Sequence, residues 1–506
     1  MGLEFTRRSF LGGVTALFAS GTAKTYAAAV GAGRPNLSFG VVSDIHIAPK
    51  AHIAALCKRT GRPVPNAGKK RFVELDVFEK SLKHFDELEC DAVMVAGDMA
   101  DDGLTGQLQA VADCWYGVFP GDGSKRDGRH VEKLFIGGNH DLGGVYYAGT
   151  RVMFPNAREL PEDEWLSKHM AEHWERIFHE KYAPIYMKEV KGYKFIGAHW
   201  HDWDGIPGVV DFMKMHGDEV RGAKPFFFFE HQQPANTCFG TWAFNPDPYS
   251  TEALKSFPNA VAFSGHSHKS LLLPYNFWQG SFTSIGAATL CALCGEYGRE
   301  NGSVKYQNER IAMKRVQSGY HDHAHGMFVR VYDSFMEISC RDFATDEDLG
   351  ETIVIPLPAT EQSPFFYANQ KAAGRAPGPF PDGAKVSATW RKGGDGERVH
   401  VSFPAVRNVA GVPAAADYEI EAVHREADVE RTLFTRYVYS PRCYSDPSKD
   451  SGDVEAVFLG SLFPPTGRTH FSVRAREAFG HFNEPICSGV LKFEDKAKFE
   501  DKAKKV

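Results

Sequence analysis

Five short apolar runs between residues 37 and 268 each stop at an aspartate, asparagine or histidine, and that recurrence constrains the chain more than any other feature. "NLSFGVVSD" ends at Asp44, with His46 two residues on, and "DAVMVAGD" ends at Asp98. "VEKLFIGGNHD" runs into Asn139 and His140, "KPFFFFEH" into His231, and "NAVAFSGHSH" into His266 and His268. Runs of this length, punctuated by Gly, read as buried strands. Between the first two, "VELDVFEKSLKHFDELE" sets Leu75, Phe78, Leu82, Phe85 and Leu88 on one stripe of an amphipathic helix. Strand–helix alternation with continuously apolar strands predicts an α/β domain whose sheet is covered on its faces. Alternation along an extended chain puts positions i and i+2 on one side, so His266 and His268 can address one object. Ligands of open α/β sheets collect at the carboxyl ends of the strands, and five such ends predict one shared polar site.

A chain of 506 residues exceeds what one hydrophobic core organises, so at least two domains are expected. The formal net charge of −6 is nearly balanced and gives no reason to expect a nucleic-acid polymer or an anionic membrane as partner. The stretch 356–384 is rich in Pro, Gly and Ala, lacks periodicity and reads as a linker after a first domain at 34–355. Short alternating segments such as "RVHVSF", "DYEIEAV" and "TLFTRYVYS" follow, predicting an all-β sandwich over 385–490. Within it, "THFSVRAREAFGHFNEPI" resembles the last strand of a fibronectin type III domain. The tail 491–506 is almost all charge and Ala.

Residues 1–33 have the layout of an export signal: Arg7 and Arg8, then Ser9, Phe10 and Leu11, a short apolar stretch and Ala-rich sequence. The arginine pair resembles the twin-arginine type, with cleavage expected around Ala27 to Gly33 and a periplasmic or extracellular destination. The apolar stretch falls short of the roughly 20 residues a spanning helix takes, so no transmembrane segment is expected in the mature protein. Nine cysteines at irregular spacing imply no disulfide framework. Cys291 and Cys294 form a CxxC without a thioredoxin-like context and read as a buried apolar pair.

The ordered set DxH, GDxxD, GNHD, a lone His and GHxH resembles the calcineurin-like metallophosphoesterase family, across residues 38 to about 345. The resemblance implies a β-sandwich core flanked by helices (αββα), an enzyme, and a phosphoric ester as substrate. It implies that Asp44, His46 and His268 sit on one metal, Asn139, His231 and His266 on another, and that Asp98 bridges them. Carboxylate, imidazole and amide donors without thiolate suit Mn, Fe or Zn, as divalent or mixed-valence ions. Two such ions roughly 3.5–4 Å apart share and acidify a water whose hydroxide attacks phosphorus in line. His140 would assist the leaving group. Asp141 would orient that imidazole or share its proton, and Asp101 would support the bridging carboxylate from behind. Purple acid phosphatases carry Tyr and Gly where this chain has Asp101 and His46, so no tyrosinate–iron colour is implied.

The substrate class stays broad: a small-molecule, glycan or lipid phosphate ester, monoester or diester. An alternative reading is an exported, non-catalytic, metal-bearing scaffold that binds glycans or proteins through its β-sandwich, against which the intact GNHD element speaks. Tyr146, Tyr147, Arg151, Trp200 and Trp203 lie in loops where substrate contacts are built. His199, His201, His321, His323 and His325 read as polar residues near the rim.

Overall fold

A computed structural model describes residues 33–61, 63–64, 72–121, 128–143, 160, 162–238, 245–291, 293, 323–393, 396–407, 409, 412–443 and 452–492. Residues 1–32, which make up nearly all of the export signal expected over 1–33, the end of the charged tail (493–506), Tyr146, Tyr147, Arg151, Cys294 and His321 lie outside the described residues. The chain forms two compact units, one of residues 32–294 with 322–370 and one whose described residues fall between 371 and 492.

The larger unit is built on two sheets. In the first, β1 (Leu37–Val42), β2 (Ala92–Ala96) and β3 (Glu132–Ile136) run parallel. β10 (His325–Val331) and β11 (Phe335–Asp342) extend it antiparallel from β1, and β12 (Glu347–Asp348) and β13 (Ile353–Pro356) pair with β11. The second sheet has the order β4 (Ile185–Val190), β5 (Tyr193–Ala198), β6 (Phe226–Glu230), β7 (Ala260–Ser264), β9 (Thr283–Gly286), β8 (Phe277–Gln279). Its strands β5, β6, β7 and β9 are parallel.

Period-2 alternation sorts the apolar side chains into layers. In the run Phe226–Phe229, Phe227 turns toward the first sheet, where its ring lies 5.0 Å from that of Phe39. Phe39 also meets Phe195 at 5.3 Å and Phe263 at 5.9 Å, all edge-to-face, so the sheets pack face to face through an aromatic seam. Phe226 and Phe228 point the other way and are covered, with Ile196, by α6 (Gly208–Val220) and α7 (Pro248–Leu254). On the outer face of the first sheet, Val93 and Val95 are covered by α2 (Asp76–Glu87), α3 (Thr105–Val118) and α5 (Met170–Phe178). The order is helix, sheet, sheet, helix. Phe78, Leu82 and Phe85 of α2 are buried as the helical stripe predicts, while Leu75 and Leu88 flank it partly buried. Because Phe39 is fully buried against three rings, Phe39→Ala is expected to lower unfolding stability by about 3–5 kcal/mol. Urea unfolding of the wild type and variant measures it.

The segment read as a linker differs from expectation. Leu357 N donates to Ser334 O at 2.8 Å, Gln279 N donates to Phe365 O at 2.8 Å, and Ser363 Oγ donates to Gln279 Oε1. The larger unit therefore runs to Gln370 rather than 355. Backbone bonds to residues far away in sequence leave no periodic trace, which is why the stretch looks structureless on paper.

The second unit is all-β, as expected. β14 (Ser387–Gly393), β15 (Gly396–Pro404) and β18 (Asp453–Leu459) form one antiparallel sheet. β16 (Asp417–Glu426), β17 (Val429–Tyr439), β19 (Arg468–Arg476), β20 (Ile486–Cys487) and β21 (Leu491–Lys492) form the other. Both sheets contribute to one core that includes Val399, Val401, Phe403, Tyr418, Ile420, Phe458, Phe471 and Val473. The segment likened to a last strand contains β19, an interior strand flanked by β16 on one side and by β20 and β21 on the other. Cys487 is a free, exposed thiol.

Candidate metal centre

Asp44 follows β1, Asp98 follows β2, Asn139 and His140 follow β3, His231 follows β6, and His266 and His268 follow β7. All are carboxyl ends of parallel strands, three from one sheet and two from the other. The turns that carry the side chains are unusual in the same way. Asp44 (φ 51°), His46 (51°), Asp98 (51°), His266 (66°) and His268 (53°) all adopt left-handed backbone. Non-glycine residues seldom do so, and such geometry concentrates at functional sites. Two glycines permit the close approach: a Cβ on Gly138 would lie 2.3 Å from Asp98 Oδ1, and one on Gly97 would lie 2.5 Å from His231 Nδ1.

The donors converge in two sets, Asp44 with His46 and His268, and Asp98 with His231 and His266, each with ligand atoms within 4.8 Å of one another. Asp98 also groups with His46 and His140. His268 Nε2 lies 2.9 Å from Asp44 Oδ1 and 3.2 Å from His46 Nε2. His231 Nε2 lies 3.1 Å from Asp98 Oδ2 and 3.9 Å from Asp44 Oδ1, and His46 Nε2 lies 3.7 Å from both carboxylates. Asn139 is buried beside its strand end.

Neighbouring groups set the tautomers. The Ala96 carbonyl can only accept, so the 2.8 Å contact makes His231 Nδ1 the donor and turns the Nε2 lone pair toward the carboxylates. Asp101 Oδ1, 3.2 Å from His46 Nδ1, does the same for His46. Buried Asp44 Oδ1 and His231 Nε2 make no hydrogen bond of acceptable geometry despite their close neighbours. Lone pairs aimed at carboxylates in a buried site call for a positive charge, and oxygen and imidazole donors fit a borderline divalent cation.

The electrostatics of the donors tell the same story. Burial works against charge on His231, yet the Asp98 and Asp44 carboxylates raise its pKa to about 9. Burial opposes ionisation of Asp98 too, but His231 and His140 hold its pKa below the usual carboxylate range. Asp44 behaves likewise, with His268 and His231 outweighing its burial. His266 is pushed down to about 3, by burial first and then by the charge on His231.

His140 is oriented from behind. Its Nδ1 donates to the Asp101 carbonyl at 2.8 Å, with the Asp101 carboxylate 3.6 Å away, and its backbone N–H donates to Asp98 Oδ1 at 2.7 Å. Two expected roles change here. Asp101 supports the imidazoles of His46 and His140. The orienting role expected of Asp141 falls to Asp101, because the Asp141 carboxylate is taken up by the backbone N–H groups of Ala100 (2.7 Å), Gly138 (2.8 Å) and Met99 (3.1 Å). Asp141 thus ties the turn after β3 to the turn after β2. Burial, then the Asp98 charge, pushes its pKa up to about 7.

Among the rim histidines, His199 is buried and its Nδ1 accepts from Gly137 N at 2.9 Å, which fixes it as structural, while His201 is exposed. His323 and His325 group with Asp342. His323 Nδ1 is 2.5 Å from Asp342 Oδ2, while Oδ1 accepts from Ala324 N and Ala344 N, so this carboxylate braces the ends of β10 and β11. Only the pairing of β10 with β11 brings Asp342 to these histidines, and nothing in their spacing foretells it.

A helix–sheet–sheet–helix unit with carboxylate and imidazole donors at its parallel strand ends defines a candidate metal-binding site. The family model of the calcineurin-like phosphoesterases matches residues 37–270, a domain that contains the whole donor set from Asp44 to His268. That match implies metal-dependent phosphoesterase activity. No curated protein matches significantly. Among solved structures, an uncharacterised protein of Streptococcus pneumoniae, described as a predicted phosphoesterase, is 11% identical and covers 63% of this chain and 97% of its own, with a TM-score of 0.25. Zinc-complexed Vps29 of Entamoeba histolytica is 9% identical and covers 63% and 99%, with a TM-score of 0.26. Superpositions this loose add nothing to the family match.

Proposed function

We propose that the larger unit hydrolyses a phosphate ester with the help of two divalent or mixed-valence cations. Asp44, His46 and His268 would hold one, Asn139, His231 and His266 the other, and Asp98 would contribute to both. When bound, the pair supplies positive charge for the phosphoryl oxygens and acidifies a water to serve as nucleophile. The chain's own groups do the rest. Asp98 anchors the backbone N–H of His140, and Asp141 holds the turn in register. The Asp101 carbonyl fixes the His140 ring with Nδ1 as donor, which leaves Nε2 to deliver a proton to the departing oxygen. The Asp101 carboxylate stabilises the protonated ring.

The observation that carries this reading is the paired tautomer control: Ala96 O and Asp101 aim two imidazole lone pairs at the Asp44–Asp98 carboxylates. Export through a twin-arginine-type route belongs to the proposal as well, on the pattern around Arg7 and Arg8. Chelated protein is expected to lose hydrolysis of p-nitrophenyl phosphate and of its bis-aryl diester, and Mn²⁺, Fe²⁺ or Zn²⁺ to restore at least one of them. Elemental analysis is expected to find about two equivalents of metal, as in two-metal sites of this kind. Protein that takes up no cation and cleaves neither ester overturns the reading.

A further inference from the structure

The loop after β5 reads "AHWHDWDGIP" and sets two indoles beside the centre. The Trp203 ring lies 6.1 Å from that of His266, and Trp200 meets Trp203 edge-on, 5.6 Å between centroids and 72° between planes. Both are partly exposed, and the intervening Asp202 and its neighbour Asp204 are exposed. The loop is held to the ligand-bearing turns themselves. Trp200 N donates to Gly137 O at 2.9 Å, two residues before Asn139, and Gln232, which follows His231, donates to the Trp203 carbonyl at 3.4 Å and to Asn245 O at 2.8 Å. Asp247 accepts from Ile206 N at 2.9 Å and closes the loop's far end. The indoles are therefore fixed relative to the centre.

Their chemistry narrows what they fit. Near-perpendicular indoles form a corner, whereas a nucleobase is best received between parallel faces. Aromatic faces present negative potential to a cation, most strongly from Trp, and two carboxylates on the same loop reinforce it. Residues 199–207 contain no Lys or Arg, and the exposed His201 lies 3.8 Å from the Asp202 carboxylate, so the loop carries no fixed positive charge for a second phosphate. We propose that Trp200 and Trp203, with Asp202 and Asp204, receive an alkylammonium group, making the substrate a phosphate ester of an amino alcohol. This rests on the phosphoesterase reading above and adds the nature of the esterified group.

The test compares phosphocholine with 3,3-dimethylbutyl phosphate, which has the same shape with carbon in place of the charged nitrogen. The wild type is expected to prefer the cation by about tenfold in kcat/KM, in line with a cation–π contact at a partly covered site. That ratio is expected to fall to about one in Trp203→Leu, to survive partly in Trp203→Phe, which keeps a π face, and to shrink in the double variant Asp202→Asn, Asp204→Asn. Equal rates on the two esters by a wild type that cleaves p-nitrophenyl phosphate overturn this inference and leave the catalytic reading intact. Calorimetric titration with choline and with 3,3-dimethylbutanol decides the matter without turnover. Binding of choline alone, weakened in Trp203→Leu, supports the corner even if no ester is cleaved, and equal or absent binding of both overturns it.

Discussion

Replacing Asp98 with alanine is expected to abolish measurable ester hydrolysis and to strip the protein of at least one metal equivalent. Asp98 belongs to one donor set and reaches a member of the other: its Oδ2 lies 3.1 Å from His231 Nε2 and 3.7 Å from His46 Nε2. Its Oδ1 accepts the backbone N–H of His140, so the same carboxylate fixes the turn that carries His140. Loss of an outer partner of a metal ligand already costs about 10–100-fold, and a shared ligand should cost more than the upper end of that range. Asp98→Asn separates the two contributions. It keeps an acceptor for His140 N–H but removes the charge, so its fold and turn geometry should persist while metal affinity falls. Elemental analysis with steady-state kinetics on both variants gives the answer, and full activity with full metal content in Asp98→Ala would sink the shared-ligand assignment.

Replacing His140 with alanine is expected to lower kcat by about 10²–10⁴-fold, the usual weight of a positioned general acid, while metal content stays at the wild-type level. The reason is the division of labour around the ring. Its Nδ1 is committed to the Asp101 carbonyl, and the side chain keeps some exposure, so Nε2 is the nitrogen that can serve an incoming ester. A p-nitrophenolate leaves readily without a proton and an alkoxide does not. The penalty in His140→Ala should therefore be smaller for p-nitrophenyl phosphate than for an alkyl phosphate. A uniform loss across leaving groups would remove the proton-donor role, and a parallel loss of metal would place His140 in the ligand set instead.

Much of the site is legible in the primary structure because parallel strands encode it twice. Buried strands need unbroken apolar runs, and the carboxyl ends of such strands are where polar ligands gather, so Asp44, Asp98, Asn139, His231, His266 and His268 stand out by position alone. The left-handed turns accept Asp and His more readily than β-branched residues, which fits the residue types found there. What supports those residues is not written in the same way. Asp141 follows His140 directly and so suggests a partner for its ring, yet the short turn points its carboxylate at the N–H groups of Met99 and Ala100, some forty positions earlier. Asp101 reaches His46 and His140 only because the turn after β2 crosses both. The stretch after Pro356 hides for a similar reason: Gln279 and Ser334 hold it by bonds that no local pattern announces.

The left-handed backbone at Asp44, His46, Asp98, His266 and His268 has a thermodynamic corollary. Sparsely populated conformations cost of order 1–3 kcal/mol each and persist because the surrounding sheet and seam over-determine them. That free energy is spent once, while the polypeptide folds, so an arriving cation meets donors already in place and forfeits little affinity to rearrangement. Grafting the same five side chains onto relaxed turns would reproduce their chemistry without its grip.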